Sequence, residues 1–395
     1  MEVTQIFIYP IKSLRGVAVE KATITKYGFL YDRCYMLIRE DITAANVQKK
    51  HGSMLVGLIP EMALFTTAIE LPSDESQGHV TVTFNPPGAT SSSLVVPLVP
   101  ETAGLDRLDV DLHGSKTSAY DMGDKYGKWF SERFGYGVKL AAVGEHERDI
   151  LFPGFPFQQP STSSWLASLA RSIPVVGGLI GSQEPRLKFQ DCAPFLVCTE
   201  KSCDAVSDLL SDAAKFDIRK TRPNIVVSGQ QAWEEDFWGE IVIAEGDSEV
   251  KIPLQHNCLR CQSLNVDFAT GQYSKEKNVE VLKLLQKYRR VDAAKKYNAV
   301  FGRYGFITPA DVGKEIKVGD VVVVSKKNAQ RSGFGINHSP RSLNQANTQQ
   351  IGQACRHVRE WIVHVFLRSV KAMETIGLLN VRIAAYHFLG NVTHD

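Results

Sequence analysis

The sequence lacks an excess of charge of either sign. It carries 45 Lys and Arg residues against 43 Asp and Glu residues, which gives a formal net charge of +2. Proteins that bind nucleic acid chiefly by neutralising its phosphates have a strong basic bias. The balance argues against a nucleic-acid partner. At 395 residues, the chain is long enough for two domains.

Cysteines are few and irregularly spaced, at seven in the whole chain. The first predicted strand starts at Val3, and no secretory leader, transit peptide or anchor helix is expected before it. We therefore expect reduced thiols and a cytoplasmic location. Cys258 and Cys261 form the one C-x-x-C pair. A structural zinc site needs two more ligands of similar regularity, and a thioredoxin-like pair would begin a helix, whereas β-type residues follow here.

A long unbroken apolar run is also missing from residues 145–186, which are rich in Pro and Ser. Residues 165–180 are apolar, but Arg171 and Pro174 interrupt them. A membrane-spanning helix needs about 20 predominantly apolar residues. We expect no membrane span here. The segment is interpreted as a surface loop with one packed helical turn, and the alternative is a lid or membrane-contacting hairpin near a substrate entrance.

The most informative segment that is present is residues 257–267, NCLRCQSLNVD, closed by Thr270 and Gly271. It places thiols beside a guanidinium, and a neighbouring positive charge lowers a thiol pKa. A thiolate is a nucleophile or a soft metal ligand. An isolated cysteine of this kind is more often simply buried at a strand end.

Three further segments place Lys or Arg, with a hydroxyl or amide, beside an apolar β-type run. They are residues 9–16 (YPIKSLRG), 31–38 (YDRCYMLI) and 221–229 (TRPNIVVSG). Arg binds phosphate through two parallel hydrogen bonds, and Ser or backbone N–H groups complete such a site. Together these segments indicate a pocket for a phosphate-bearing ligand, although each alone is more often a solvated or ion-paired strand end.

Taken together and in this order, the segments resemble the MOSC family, named for the C-terminal domain of molybdenum cofactor sulfurase. Within it, the sequence is similar to the mitochondrial amidoxime reducing components and their microbial relatives. The resemblance covers about residues 3–324. It also includes APFLVCTE at 193–200, FGRYG at 301–305 and IKVGDVVVV at 316–324.

The resemblance implies a molybdenum cofactor and specific residues that bind it. Cys261 is expected to supply a thiolate to the molybdenum, with Arg260 beside the sulfur to stabilise its anionic form. The residues expected to hold the pterin and its phosphate are Lys12, Ser13, Arg33, Arg222, Asn224, Arg260 and Tyr304. Two departures bear on binding: Cys192-Ala193 replaces hydroxyl residues before the PFL run, and Leu259 replaces a small polar residue.

The implied activity is reduction of N-hydroxylated compounds, such as amidoximes and hydroxylamines, by oxo transfer at the metal. Electrons would come from an external donor of the cytochrome b5 type with its flavin reductase, because the chain has no flavin or haem motif. The alternative is a molybdenum cofactor or sulfur carrier without reductase turnover. The family's association with pyridoxal phosphate belongs to a sulfurase domain that this sequence does not contain.

The predicted fold class is α+β and dominated by β-structure. A MOSC N-terminal β-rich domain spans residues 1–144, the insertion 145–186, and a MOSC β-barrel with peripheral helices 187–325. The cofactor is expected in the cleft between the two domains.

Alternation predicts strands at residues 3–9, 34–38, 80–84 and 317–324, and periodicity predicts helices at 121–134, 199–214 and 279–288. Asp121 and Thr199 are the predicted N-caps, and Gly135 the helix stop.

Residues 326–395 differ from the rest in composition, with nine basic and three acidic residues. We expect a disordered or poorly specified tail. Two alternatives are read-through into non-coding sequence and a basic membrane-surface helix at residues 355–373. In each case the barrel is expected to be complete at Val324.

Overall fold

The chain folds mainly into β-strands, as its alternating sequence predicts. A computed structural model describes residues 1–41, 50–74, 76–150, 185–210, 215–246, 248–274 and 280–334. These ranges contain three α-helices: α1 (Asp124–Phe134), α2 (Glu200–Ser207) and α3 (Val281–Tyr288). The β-dominated class is therefore confirmed. No helix within them has the length and hydropathy to cross a bilayer.

An eight-stranded sheet forms the largest element. In spatial order its strands are β2 (Val17–Val19), β1 (Val3–Ile8), β16 (Ile225–Val227), β15 (Phe195–Thr199), β21 (Val300–Gly305), β18 (Ser248–Leu259), β17 (Trp238–Glu245) and β23 (Val321–Lys327). Only the β15–β16 pair is parallel. β1 and β16 are antiparallel, with Ile6 opposite Ile225. The segment that follows β1 therefore meets the segment that precedes β16.

The N-terminal half contributes two further antiparallel sheets. One has the order β10 (Arg107–Leu112), β11 (Ser115–Asp121), β12 (Val138–Ala142), β5 (Tyr35–Asp41) and β6 (Lys50–Ser53). The other is the meander of β7 (Phe65–Glu70), β8 (His79–Phe84) and β9 (Ser92–Pro97). Alternate residues of β10 are buried, which is the pattern of a sheet with one face on a core.

The remaining strands are short. They are β3 (Lys21–Thr25) with β4 (Gly28–Phe29) and β22 (Glu315–Lys317), β13 (Arg148–Asp149) with β14 (Arg186–Leu187), and β19 (Val266–Asp267) with β20 (Gln272–Tyr273). β22 pairs with β3, and β1 with β16, so strands from both ends of the sequence share sheets. The predicted domain boundaries at residues 144 and 187 stay a prediction.

The helix boundaries correct two sequence predictions: α2 ends at Ser207 and not at residue 214, and the N-cap of α1 is a different residue. Helix α1 begins at Asp124 with Gly123 as its N-cap, so Asp121 as the cap was wrong. Asp121 instead ends β11, and its Oδ1 accepts a hydrogen bond from the Gly123 N–H. The predicted Gly135 stop is confirmed, with φ of 75° in the left-handed region. The Thr199 cap of α2 is also confirmed, because its side chain accepts from the Ser202 N–H.

The bounds of the predicted closing strand also differ from the structure. The predicted closing strand 317–324 is two strands, β22 and β23, and β23 continues to Lys327. The Asn328 N–H donates to the Phe237 carbonyl at 2.7 Å, so ordered structure passes the predicted start of the tail at residue 326. Residues 151–184 of the insertion and 335–395 of the tail, including the helix candidate 355–373, lie outside the described residues.

Candidate functional site

A cavity of about 940 Å³ gathers most of the residues that the sequence predicts to bind a cofactor. Six of the eight predicted residues line it: Lys12, Ser13, Arg33, Arg222, Cys261 and Tyr304. They come from the segments after β1, before β5, before β16 and after β18, together with β21. The pairing of β1 with β16 explains why residues some 200 positions apart meet here.

Three cations form what we call the cationic wall: Lys12, Arg33 and Arg222. Arg33 donates from Nη1 to Asp32 Oδ2 at 2.6 Å and to Asn224 Oδ1 at 3.0 Å. It also lies over the Tyr9 ring, 4.3 Å from the centroid. These contacts fix the guanidinium at the cavity surface before any ligand binds.

Arg222 keeps unused hydrogen-bonding capacity. Its Nη1 donates to the Leu14 carbonyl at 2.6 Å, and its guanidinium lies 4.4 Å from the centroid of the Tyr9 ring. Its Nη2 is buried and has no hydrogen-bond partner among the described residues. Burial lowers the pKa of Arg222 to about 10. A buried, unpaired N–H costs about 1–3 kcal/mol, so an anion at this nitrogen would relieve an existing penalty.

Lys12 is the third cation of the wall and is almost fully buried. Its Nζ donates to the Phe189 carbonyl at 2.8 Å and to Asp191 Oδ1. Desolvation lowers the pKa of Lys12, whereas Asp191 opposes that change. Burial alone would raise the Asp191 pKa, but Lys12 and His113 outweigh it and hold that pKa well below its usual range. The Asp191 carboxylate thus favours the charged form of Lys12.

Backbone strain is concentrated at this cavity. Six described residues other than glycine have a positive φ, and four of them line the cavity: Ser13 (70°), Arg33 (50°), His113 (60°) and Arg222 (59°). Such conformations cost of order 1–3 kcal/mol each and persist where the surrounding structure determines them. Their clustering makes the cavity the candidate functional region within the described residues.

The two cysteines of the C-x-x-C pair lie in opposite environments. Cys261 is exposed and lines the cavity, with its Sγ 3.3 Å from Ser263 Oγ. Cys258 is buried, and burial raises its pKa although Arg260 opposes this. One cysteine of the pair is therefore available to a ligand, and the other belongs to the core.

Arg260 is held by contacts within the protein. Its Nη1 donates to Cys258 Sγ at 2.9 Å and its Nη2 to the Thr221 carbonyl at 2.8 Å, while Cys258, Cys198 and Cys261 raise its pKa, so its expected role beside the Cys261 sulfur stays a prediction. It is not among the residues that line the cavity. Neighbouring residues of an extended chain point to opposite sides, so Arg260 and Cys261 cannot both face the cavity. The guanidinium instead fixes the start of the segment that carries Cys261.

Asn224 is also not among the lining residues, and its expected contact with a ligand stays a prediction. Its Oδ1 accepts from Arg33 Nη1 and from the Leu196 N–H, and its Nδ2 donates to the Phe7 carbonyl at 3.3 Å. The amide thereby joins three segments. It positions Arg33 within the cationic wall.

Tyr304 and Cys192 lie at the inner surface of the cavity. The Tyr304 side chain is hydrogen-bonded to the thiols of both Cys192 and Cys258. Burial raises the Tyr304 pKa well above its usual value and the Cys192 pKa to about 12. Both groups therefore stay protonated near neutral pH and act as neutral hydrogen-bonding partners.

Sequence reasoning missed several lining residues. They are Leu55, Val56, Gly57, Leu58, His113, Asp191, Gln262, Ser263, Ala294, Lys295 and Phe334, while Cys192 and Leu259 were noted only as departures from the family pattern. Asp191 stands directly before Cys192, so its position was a usable signal. Gln262 and Ser263 lie within the 257–267 segment, and the remaining residues come from segments without a recognisable motif.

The cavity offers a cationic wall and one exposed thiol, an arrangement suited to an anionic ligand that also carries a soft centre. Within the described ranges, no group of three or more His, Cys, Asp or Glu side chains could hold a metal ion alone. A metal at Cys261 would need further ligands from a bound group.

Comparison with known families defines the class of protein. Residues 1–136 match the MOSC N-terminal beta barrel domain, and residues 184–323 match the MOSC domain. The chain is a MOSC-domain protein in which the N-terminal beta barrel domain precedes the MOSC domain.

Individual relatives refine that class. Mitochondrial amidoxime-reducing component 1 of Mus musculus is 27% identical over 327 residues, 81% of each chain. The protein of the same name from Danio rerio is 29% identical over 76% of this chain and 79% of its own. Molybdenum cofactor sulfurase of Oryza sativa subsp. japonica is 25% identical over 75% of this chain but only 31% of its own length.

Proposed function

We propose that this protein binds the molybdenum cofactor and reduces N-hydroxylated compounds, such as amidoximes and hydroxylamines. The observation that carries the proposal is one cavity lined by both the exposed Cys261 and the cationic wall. The names of the relatives, which include amidoxime-reducing components, support the reaction class.

The residues present fit an anionic pterin cofactor. The buried Arg222 Nη2 has no partner in the described structure, and a phosphate oxygen would satisfy it. Lys12, Ser13, Arg33 and Tyr304 line the same cavity and would complete the set of donors. Asn224 would act indirectly, by holding Arg33.

The thiol chemistry fits as well. Molybdenum is a soft metal centre in this setting, and a thiolate is the matching protein ligand. Cys261 would supply it because its sulfur is exposed to the cavity, whereas Cys258 is buried against Arg260. When bound, the cofactor would supply a redox-active metal that accepts the oxygen of an N-hydroxyl group.

The protein's own residues would position the cofactor and exclude competing chemistry. The cationic wall would hold the negative charge of the bound group. Leu55, Val56 and Leu259 would give the cavity an apolar portion for the organic part of the substrate. Electrons would come from an external donor of the cytochrome b5 type with its flavin reductase.

A turnover experiment tests the proposal. The purified, cofactor-loaded protein is combined with cytochrome b5, its reductase and NADH, and benzamidine formation from benzamidoxime is measured by chromatography. We expect turnover that requires every component. Cofactor-loaded protein without turnover of any N-hydroxylated compound would instead favour the carrier function, for which the similarity to the rice sulfurase is the supporting observation.

A further inference from the structure

The last nine described residues contact the barrel. We call residues 326–334, which follow the matched region ending at 323, the strap. The Asn328 N–H donates to the Phe237 carbonyl, and Arg331 Nε donates to the buried Asp236 Oδ2 at 2.8 Å. The Arg331 guanidinium also lies over the Phe237 ring, 4.7 Å from the centroid. The strap is thus joined to the segment before β17.

The end of the strap makes deeper contacts. The Ser332 carbonyl accepts from Asn257 Nδ2 at 2.5 Å, and Ser332 Oγ accepts from Arg303 Nη2 at 2.8 Å. Arg303 is fully buried, and its Nη1 donates to Asn257 Oδ1 at 2.6 Å. Hydrogen bonds to buried charged groups are the stronger ones, so these contacts fix the strap rather than merely cover the barrel.

Asp292 joins the strap to the cavity. Its Oδ2 accepts from Asn257 Nδ2 at 2.8 Å and from the Phe334 N–H at 2.7 Å. Its Oδ1 accepts from the N–H groups of Ala294 and Lys295, both at 3.0 Å. Asp292 is 2% exposed, and Phe334, Ala294 and Lys295 all line the cavity. One buried carboxylate therefore sets the backbone of three lining residues.

We propose that Phe334 limits the size of the molecules that reach Cys261, and that Asp292 is the residue that positions it. The backbone of this lining residue is held by a buried acceptor, so the ring is carried by a fixed part of the cavity surface. The part of the inference that concerns substrate selection rests on the proposed function. The part that concerns access of molecules to the Cys261 thiol is independent of it.

The first test uses thiol labelling of the full-length, metal-free protein. The rates of Cys261 modification by iodoacetamide and by a bulky fluorescein maleimide are compared, and the labelled peptide is identified by mass spectrometry. In Phe334→Ala the labelling ratio, which is the rate with the bulky reagent divided by the rate with the small one, should rise by about tenfold. Phe334→Leu should give a smaller rise and serves if the alanine variant does not fold. An unchanged ratio in a folded Phe334 variant would overturn the proposal.

A matched control is Tyr297→Ala. Tyr297 is 75% exposed, lies in the loop that follows Ala294 and Lys295, and is not among the lining residues. Its removal should leave the labelling ratio at the wild-type value. A rise equal to that in Phe334→Ala would show a general loosening of the loop and would overturn the assignment to Phe334.

The positioning role of Asp292 has its own readout. Asp292→Asn removes acceptor capacity from the Phe334 N–H while it preserves shape, and it should raise the same ratio in the same direction. In the double variant with Phe334→Ala, the second change should add little, because both act through one ring. Fully additive effects would contradict the positioning role.

A kinetic test extends the inference to substrates. In cofactor-loaded protein, Phe334→Ala should raise kcat/KM for a bulky aromatic amidoxime by about tenfold relative to a small hydroxylamine. A changed labelling ratio without turnover of either compound would refute the proposed reductase function and leave the access limit standing. Turnover with unchanged preference and an unchanged labelling ratio would refute the role of Phe334.

Discussion

Two sides of the cavity are built on different principles. The cationic wall of Lys12, Arg33 and Arg222 keeps an unpaired buried nitrogen, Arg222 Nη2. On the C-terminal side, the described contacts of the Asp292 carboxylate are saturated by four donors within the protein. Because Arg222 lines the cavity, its unused donor indicates affinity for a ligand, whereas the four bonds to the Asp292 carboxylate indicate a fixed backbone. The comparison suggests that the cationic wall binds an anionic ligand and that the C-terminal side limits access to Cys261.

The largest expected effect tests the exposed thiol. Cys261→Ser should abolish reduction of benzamidoxime and retain the fold, because an alcohol at neutral pH cannot replace a soft thiolate. Cys258→Ser should be much milder, since a hydroxyl can still accept from Arg260. Turnover and circular dichroism are measured on both variants. Equal loss of turnover in the two variants would favour a dithiol or zinc site and would contradict different roles for Cys261 and Cys258.

The next effect addresses binding by the cationic wall. Arg222→Ala, Arg33→Ala and Lys12→Ala should each lower cofactor retention, because each removes a charged hydrogen-bond donor worth about 1.5–3 kcal/mol. That corresponds to roughly a tenfold to hundredfold loss of affinity. Pterin content after gel filtration provides the measurement.

A control variant sharpens that result. Lys295→Ala alters a lining cation on the other side of the cavity, and its N–H bond to Asp292 does not depend on the side chain. Its pterin content should stay close to wild type. Full pterin content in all three variants of the cationic wall would mean that the anion site lies elsewhere.

A third effect concerns the stability of the C-terminal side. The barrel was expected to be complete at Val324, but truncation after Ser325 would remove the partners of Asp236, Asn257, Asp292 and Arg303 within the strap. Truncation after Ile336 retains all of these contacts. We expect the shorter protein to melt several degrees lower than the longer one, by calorimetry. Identical melting temperatures would show that the strap adds nothing to the fold.

The smallest effect distinguishes two thiols of the same cavity. Because burial raises the Cys192 pKa to about 12, only roughly one molecule in ten thousand carries its thiolate at pH 8. Iodoacetamide at pH 8 should therefore label Cys261 well before Cys192, and Cys192 labelling should accelerate as the pH rises toward 10. Peptide mass spectrometry follows both sites. Early labelling of Cys192 would contradict its burial against Tyr304.

The cationic wall could be predicted from the sequence because its residues stand in short motifs. Lys12 and Arg222 adjoin strands that pair, so local patterns and one pairing bring them together. Asn224 and Arg260 were predicted as ligand contacts, and in the structure they also bind neighbouring parts of the protein, the Arg33 side chain and the Thr221 carbonyl. Their positions in the motifs predict that they lie near the cavity, but not the direction in which their side chains point.

The C-terminal side could not be predicted in the same way. Asp292 is linked to Asn257 across 35 residues and to Phe334 across 42, through a side chain that meets an amide and a backbone N–H. Such contacts leave no periodicity in the sequence. The left-handed backbone at Ser13, Arg33 and Arg222 is equally invisible, because residues of these types rarely adopt it.

The most direct test of the cofactor proposal is the molybdenum content of the purified full-length protein from a host that makes the cofactor. Metal is quantified by mass spectrometry, and oxidised pterin by fluorescence on the same sample. We predict near-stoichiometric molybdenum and pterin in the wild type, with both strongly reduced in Arg222→Ala. Folded wild-type protein that carries neither molybdenum nor pterin would contradict the proposal.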